Sequence, residues 1–172
     1  IVMSGAMHED GLADCADGFW GGWEIQRRLE IMKDSQIGTY GVLALALSLI
    51  ARWVAVWLLM DGGHWFWVLI ATEALSRSAM PIMMYALPHA RSDGLSHAQG
   101  QPQLETAALA AGIAFVASLL FIGLPAIFFA LIAGAVTFGC YMLAQAKIQG
   151  QTGDVLGATQ QLVLLALLLV AA

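Results

Sequence analysis

The chain has 172 residues, of which 60% are hydrophobic and only 11% charged, and its net charge is −5. Soluble domains carry about 25% charged residues, so this composition excludes an ordinary water-soluble domain and points to a polytopic membrane protein. The acidic balance argues against a nucleic-acid partner, and the two cysteines, Cys15 and Cys140, are too few for a disulfide framework and are read as reduced and structural. No basic region followed by an apolar core is found among the first residues, so no signal peptide is read there.

Residues 1–40 form a polar head. The stretch HEDGLADCADG, residues 8–18, concentrates Glu9, Asp10, Asp14 and Asp17. On a helix Asp10, Asp14 and Asp17 fall at i, i+4 and i+7, one face. Three carboxylates so placed repel each other, and no lysine or arginine precedes Arg27 to offset them. A divalent cation would, and oxygen-only ligands favour Mg²⁺, Mn²⁺ or Ca²⁺ over Zn²⁺. Gly11 and Gly18 leave room for a ligand or a second backbone. Phe19-Trp20-Gly21-Gly22-Trp23 reads as an interfacial aromatic anchor with a turn at the glycine pair. Residues 24–34 read as a short helix with Ile25, Leu29 and Met32 on one side. For Arg27 and Arg28 two roles stand open: holding a substrate phosphate or anchoring the cytoplasmic face.

Five membrane crossings are expected in the remainder. The first spans about 41–60 and buries Arg52, which must face the bundle interior or a wet cavity. Residues 61–64 form a tight turn. The second crossing, about 65–87, carries Glu73 and Arg77 at i, i+4, able to pair with each other; Arg52 is another possible partner for Glu73. The pair is either a packing device or the polar floor of a site. Residues 88–103 form a polar loop whose His89 and His97 are read as solvated, not as zinc ligands. Crossings three and four, about 106–122 and 124–144, are scaffold, with Gly112, Gly134 and Gly139 permitting close helix approach and Pro125 in the first turn. The last polar loop, 145–154, brings Lys147, Gly150, Thr152 and Gly153 to the start of the final helix, an arrangement suited to an anion. Asp154 is a natural N-cap there and would repel a bare phosphate unless a cation is shared. Gln160 and Gln161 need polar partners inside the membrane.

Five crossings put residues 1–40, 88–105 and 145–154 on one side. Arg27, Arg28, Lys33, Arg91 and Lys147 all lie there, and the other side has no basic residue. The positive-inside rule makes the first side cytoplasmic.

HEDGLADCADGFWGG with RRLEIMKDSQIGTYG, then EALSR (73–77) and KIQGQTGDVLGA (147–158), resembles the signature of the cobalamin synthase family, the adenosylcobinamide-GDP ribazoletransferases. The resemblance spans nearly the whole chain. It implies an all-α integral membrane bundle, about five transmembrane helices with short helices at the cytoplasmic face, in one domain over 1–172. It further implies an enzyme of a bacterial inner membrane that uses Mg²⁺ to displace GMP from adenosylcobinamide-GDP with a ribose hydroxyl of α-ribazole or its phosphate. Family members carry hydrophobic segments before the acidic motif, so an N-terminally truncated fragment is expected. On this reading Asp10, Asp14 and Asp17 hold Mg²⁺. Glu9 or Asp34 orients or deprotonates the hydroxyl. Lys33, Arg77 and Lys147 clamp phosphates, and Arg27, Arg28, Glu73, Thr152 and Asp154 complete the substrate site. A CDP-alcohol phosphotransferase is disfavoured because Gly38-Thr39-Tyr40-Gly41 stands where its second aspartate motif belongs. A transporter with Arg52, Glu73 and Arg77 along an ion path would leave the acidic motif unexplained.

Overall fold

The structure, a computed structural model, describes every residue except 62–64. The expected turn over 61–64 therefore lies, apart from Asp61, outside the described residues. A 3-10 turn at Val2–Ser4 leads into α1 (Met7–Gly21), α2 (Ile25–Ile31), α3 (Thr39–Met60), α4 (Trp65–Ala86), α5 (Leu95–Gln99), α6 (Leu104–Ile122), α7 (Pro125–Ile148) and α8 (Gly153–Ala171). Among the described residues there is no strand, only an isolated bridge between His89 and Gln151.

Among the described residues four helices, α3, α6, α7 and α8, are long and apolar enough to cross a membrane. Their outward faces agree: Leu47, Trp53, Leu120 and Leu131 are exposed, a liability in water but the right surface for lipid. The fifth expected crossing, α4, matches α3 in length but is not among them, because Thr72, Glu73, Ser76, Arg77 and Ser78 dilute its apolar content. It still runs the length of the bundle. At one end Trp67 stacks on Phe121 of α6, and at the other the Pro88 carbonyl accepts the Gln151 amide at 2.8 Å.

Helix α8 is the axis. It buries Leu156, Val163, Leu164, Leu167 and Leu168, and α1, α3, α4 and α7 all pack against it. Around its first half lies a core with Leu12, Phe19, Met83, Leu87 and Ile148. Around its second half Leu75, Phe129 and Val163 pack together, and Ala55 and Leu59 of α3 close the third side. Gly11 sets the α1–α8 crossing: a Cβ there would stand 2.7 Å from the Asp154 carbonyl oxygen. Gly18 likewise admits the Arg28 carbonyl of α2. Gly112, Gly134 and Gly139 do not serve the helix approach expected of them, since a Cβ at each meets nothing within 4 Å.

Both ends of the chain's polar loops meet at one end of the bundle. Arg28 donates to the Lys147 carbonyl at 2.8 Å, Lys33 pairs with Asp93, and Ala90 donates to the Gln151 carbonyl at 2.9 Å. The segment 88–103, expected as plain loop, contains the short helix α5.

Candidate functional site at the polar end of the bundle

The acidic motif is helical (α1), the condition under which its three aspartates share a face, but they divide their work. Asp17 turns to α3. One of its carboxylate oxygens accepts the Gly38 N–H at 2.7 Å and the other the Gly41 N–H at 2.9 Å. These are unsatisfied donors at the start of a helix, where a negative charge is favourable. Both partners must be glycine: a Cβ at either would stand 2.4 Å from an Asp17 oxygen. Asp17→Ala is expected to cost about 2 kcal/mol in unfolding measured in detergent, and Asp17→Asn less. Unchanged stability in Asp17→Ala would show that this cap contributes nothing.

Asp10 and Asp14 remain on the open face, and α8 brings them a third carboxylate. Thr152, not Asp154, caps α8, its hydroxyl accepting the Val155 N–H at 3.3 Å. Asp154 is thereby released into the first turn, where its carboxylate accepts from Arg91 Nη2 at 2.9 Å. Arg91 is held in place by the bridge between its loop and α8's leader. Gln151, fully buried, donates through Nε2 to His89 Nδ1 at 2.9 Å and accepts from the Ser96 hydroxyl at 2.5 Å. His89 is thus half-buried in a network, while His97 is exposed as expected. Asp10, Arg91 and Asp154, with His8 and Ser96, line one cavity of about 400 Å³. Its other wall is apolar, from Met80, Met84 and Leu95. The Arg91 Nη1 is buried and has no hydrogen-bond partner among the described residues.

The electrostatics follow from this crowding. Burial first, then the charges of Asp10, Asp154 and Asp17, push the Asp14 carboxyl from an ordinary 3.8 up to about 7, with Arg91 opposing. Between those two values the folded protein holds a proton that the unfolded chain has lost. Stability of the metal-free protein should therefore fall as pH rises from about 4 to 7, then level off. Asp14→Asn should remove that part of the slope in thermal unfolding with a chelator present, and an identical slope in the variant would contradict the assignment. On the opposite face of α1, burial pushes the Cys15 thiol up, which keeps it protonated and inert, consistent with a structural role.

The other residues singled out from the sequence do not all join this site. Glu9 points into the bundle, 3.3 Å from Arg52. Arg52 also donates to Gln161, Gln161 donates to Gln160 at 2.8 Å, and Gln160 to Ser76 at 3.1 Å. This polar line gives Arg52 its interior partners and gives both glutamines theirs; Arg52 pairs with Glu9 and not with Glu73. Glu73 and Arg77 do pair with each other, but on an exposed face of α4, and Arg77 stands near enough to His8 to help lower its pKa after burial. Arg28 is spent on the carbonyls of Gly22 and Lys147. Arg27 pairs with Glu30 in solvent, and Asp34 is exposed, accepting the Gln36 N–H. Lys33 reaches the rim through Asp93, which lies 3.8 Å from Arg91. Lys147 lies over the Trp20 ring, on the far side of α1. Arg91 and Gln151 are the residues that sequence reasoning missed. Arg91 is the sole lysine or arginine of the 88–103 segment, the one available signal.

Among the described residues, no three His, Cys, Asp or Glu side chains are gathered tightly enough to enclose an ion. Mg²⁺ does not need such a cage: it is commonly held by one or two carboxylates together with substrate phosphates. Asp10, Asp14 and Asp154 offer only oxygen donors, the ligand chemistry such an ion takes.

Fold and site together define a multi-pass helical membrane protein with a carboxylate-and-arginine site at one end of its bundle. A family model described as cobalamin-5-phosphate synthase matches residues 1–172. Similar relatives named adenosylcobinamide-GDP ribazoletransferase occur in Mesorhizobium japonicum, 45% identical over 99% of this chain and 66% of the relative, and in Brucella anthropi, 44% identical over 94% and 65%. That of Brucella ovis is 45% identical over 98% and 68%. No solved structure matches. The chain belongs to the cobalamin-5-phosphate synthase family, and it spans about two thirds of the length of the curated relatives it matches.

Proposed function

We propose that this chain carries the active site of a Mg²⁺-dependent adenosylcobinamide-GDP ribazoletransferase. The observation that carries the reading is the meeting of Asp10 of α1 with Asp154 of α8 and Arg91 at one cavity, with Asp14 close enough to be crowded by both carboxylates. An acceptor hydroxyl of α-ribazole or its phosphate forms a bond to the phosphorus next to cobinamide. The pyrophosphate P–O bond breaks, GMP leaves with that oxygen, and the hydroxyl proton passes to solvent or a carboxylate. Mg²⁺ held by one or two of Asp10, Asp14 and Asp154 together with the substrate phosphates would neutralise charge building on the leaving phosphate. Arg91 Nη1, buried without a partner among the described residues, is placed to donate to a phosphate oxygen. Asp154 fixes the guanidinium so that this donor is aimed before substrate arrives. A cavity of about 400 Å³ is far smaller than a corrinoid, so it takes the pyrophosphate end while the ring stays outside. Purified protein given adenosylcobinamide-GDP, Mg²⁺ and α-ribazole, or separately its 5′-phosphate, should release GMP with one of the two. No GMP with either acceptor would overturn the reading.

The site faces the cytoplasm of a bacterial inner membrane on this account. What supports it is the clustering of Arg27, Arg28, Lys33, Arg91 and Lys147 at the site end of the bundle, which the positive-inside rule assigns to the cytoplasm. After Cys15 and Cys140 are replaced, a cysteine at Leu124 should react with an impermeant reagent on intact cells and one at Ser92 should not. The reverse pattern would invert the topology.

A further inference from the structure

We infer that the groove on the back of α1, between α3 and α7, is a binding site for an anionic phospholipid, with one acyl chain in the groove and the phosphate on Lys147. The groove lies on the opposite face of α1 from Asp10 and Asp14. Leu12 and Phe19 of α1 and Ala158 of α8 form its floor, and Ala44 of α3 and Leu143 of α7 its walls. Its lining is almost wholly apolar, and it opens to the outside beside Trp20 and Leu162, which are 54% and 37% exposed. In a bilayer such an opening is filled by lipid or by another protein segment.

Its charge chooses between them. Cys140, Leu143 and Lys147 follow one another at i, i+3 and i+7, one stripe of α7. The stripe leads from the hydrocarbon depth to the polar end of the bundle, where Lys147 stands at the last turn of α7. The Lys147 ammonium lies 5.1 Å from the centre of the Trp20 ring and has no carboxylate partner among the described residues, unlike Lys33, Arg52, Arg77 and Arg91. A cation above an apolar slot, beside an indole at headgroup level, matches a negatively charged phospholipid in both of its parts. A zwitterionic lipid would offer the same chain but no net charge.

Native mass spectrometry of the detergent-purified protein tests this with phosphatidylglycerol and phosphatidylcholine of identical acyl chains. Phosphatidylglycerol should bind about fivefold more tightly, the factor one lysine near an anionic lipid contributes. Lys147→Gln should abolish that preference and leave phosphatidylcholine binding unchanged. Ala44→Phe, which fills the groove, should lower occupancy by both lipids while the helical circular dichroism and the elution volume stay at parental values. Equal binding of the two lipids by the parent, a preference that survives Lys147→Gln, full occupancy in Ala44→Phe, or a dimer that excludes both lipids would each overturn the inference. None of these readouts depends on transferase activity.

Discussion

Replacing Asp14 by Asn is expected to lower GMP release by roughly 100-fold or more, the scale for losing one group aimed at transition-state charge. Asparagine keeps the shape of the side chain but removes the anionic oxygen that a hard cation prefers. The same change should make the metal-free protein more stable above pH 7, because Asp14 is crowded there by Asp10, Asp154 and Asp17. Loss of activity with gain of stability separates a site residue from a structural one. Asp61→Asn, at the end of α3 away from the site, is the matched control and should change neither quantity. If Asp14→Asn turned over at the parental rate with the parental Mg²⁺ dependence, Asp14 would not belong to the site.

A second large effect is expected at Arg52. Its guanidinium and the Glu9 carboxylate are both mostly buried, 17% and 10% exposed, and Glu9 Oε2 has no hydrogen-bond partner among the described residues. Arg52→Met therefore strands a carboxylate inside the bundle and also takes a donor from Gln161. A loss of about 3–5 kcal/mol is the expected cost, read as unfolding in a denaturing detergent titration. The Glu9→Leu, Arg52→Met pair should recover most of it, since two apolar side chains leave no charge behind. If Glu9 handles the acceptor proton instead, the double variant will fold and yet be inactive, and the packing role assigned to Glu9 will be wrong. A fully stable Arg52→Met would equally contradict the buried pair.

The parts of this fold that were legible from the sequence are those fixed by length and periodicity. Apolar runs of about 20 residues admit little besides membrane-length helices, and the i, i+4, i+7 spacing of the acidic motif puts three carboxylates on one face once that stretch is helical. Partner choice was not legible. The sequence offered Glu73 as a partner for Arg52, and the crossing of α1 over α8 at Gly11 brings Glu9 to it instead. Asp17 looked like Asp10 and Asp14 because helical spacing says which side chains share a face and nothing about what that face meets. The start of α3 lies over Asp17 and takes both of its oxygens. Asp154 read as an N-cap because aspartate commonly is one; Thr152, two residues earlier, takes the cap and frees Asp154 for Arg91. Arg91 itself sits in a segment without periodicity, and its position depends on a buried glutamine 60 residues later in the chain, Gln151, with His89 as intermediary.

Metal binding is the most direct test of the claim that α1 and α8 together build one cation site. Mn²⁺ binding to the purified protein can be followed by electron paramagnetic resonance, with and without inorganic pyrophosphate. Asp10→Asn, Asp14→Asn and Asp154→Asn should each weaken binding at least tenfold, a loss on the scale known even for residues behind the ligands. Pyrophosphate should tighten binding in the parent. Asp17→Asn and Asp34→Asn should bind as the parent does. Parental Mn²⁺ affinity in Asp154→Asn, or a loss in Asp34→Asn as large as in Asp14→Asn, would contradict the site described here.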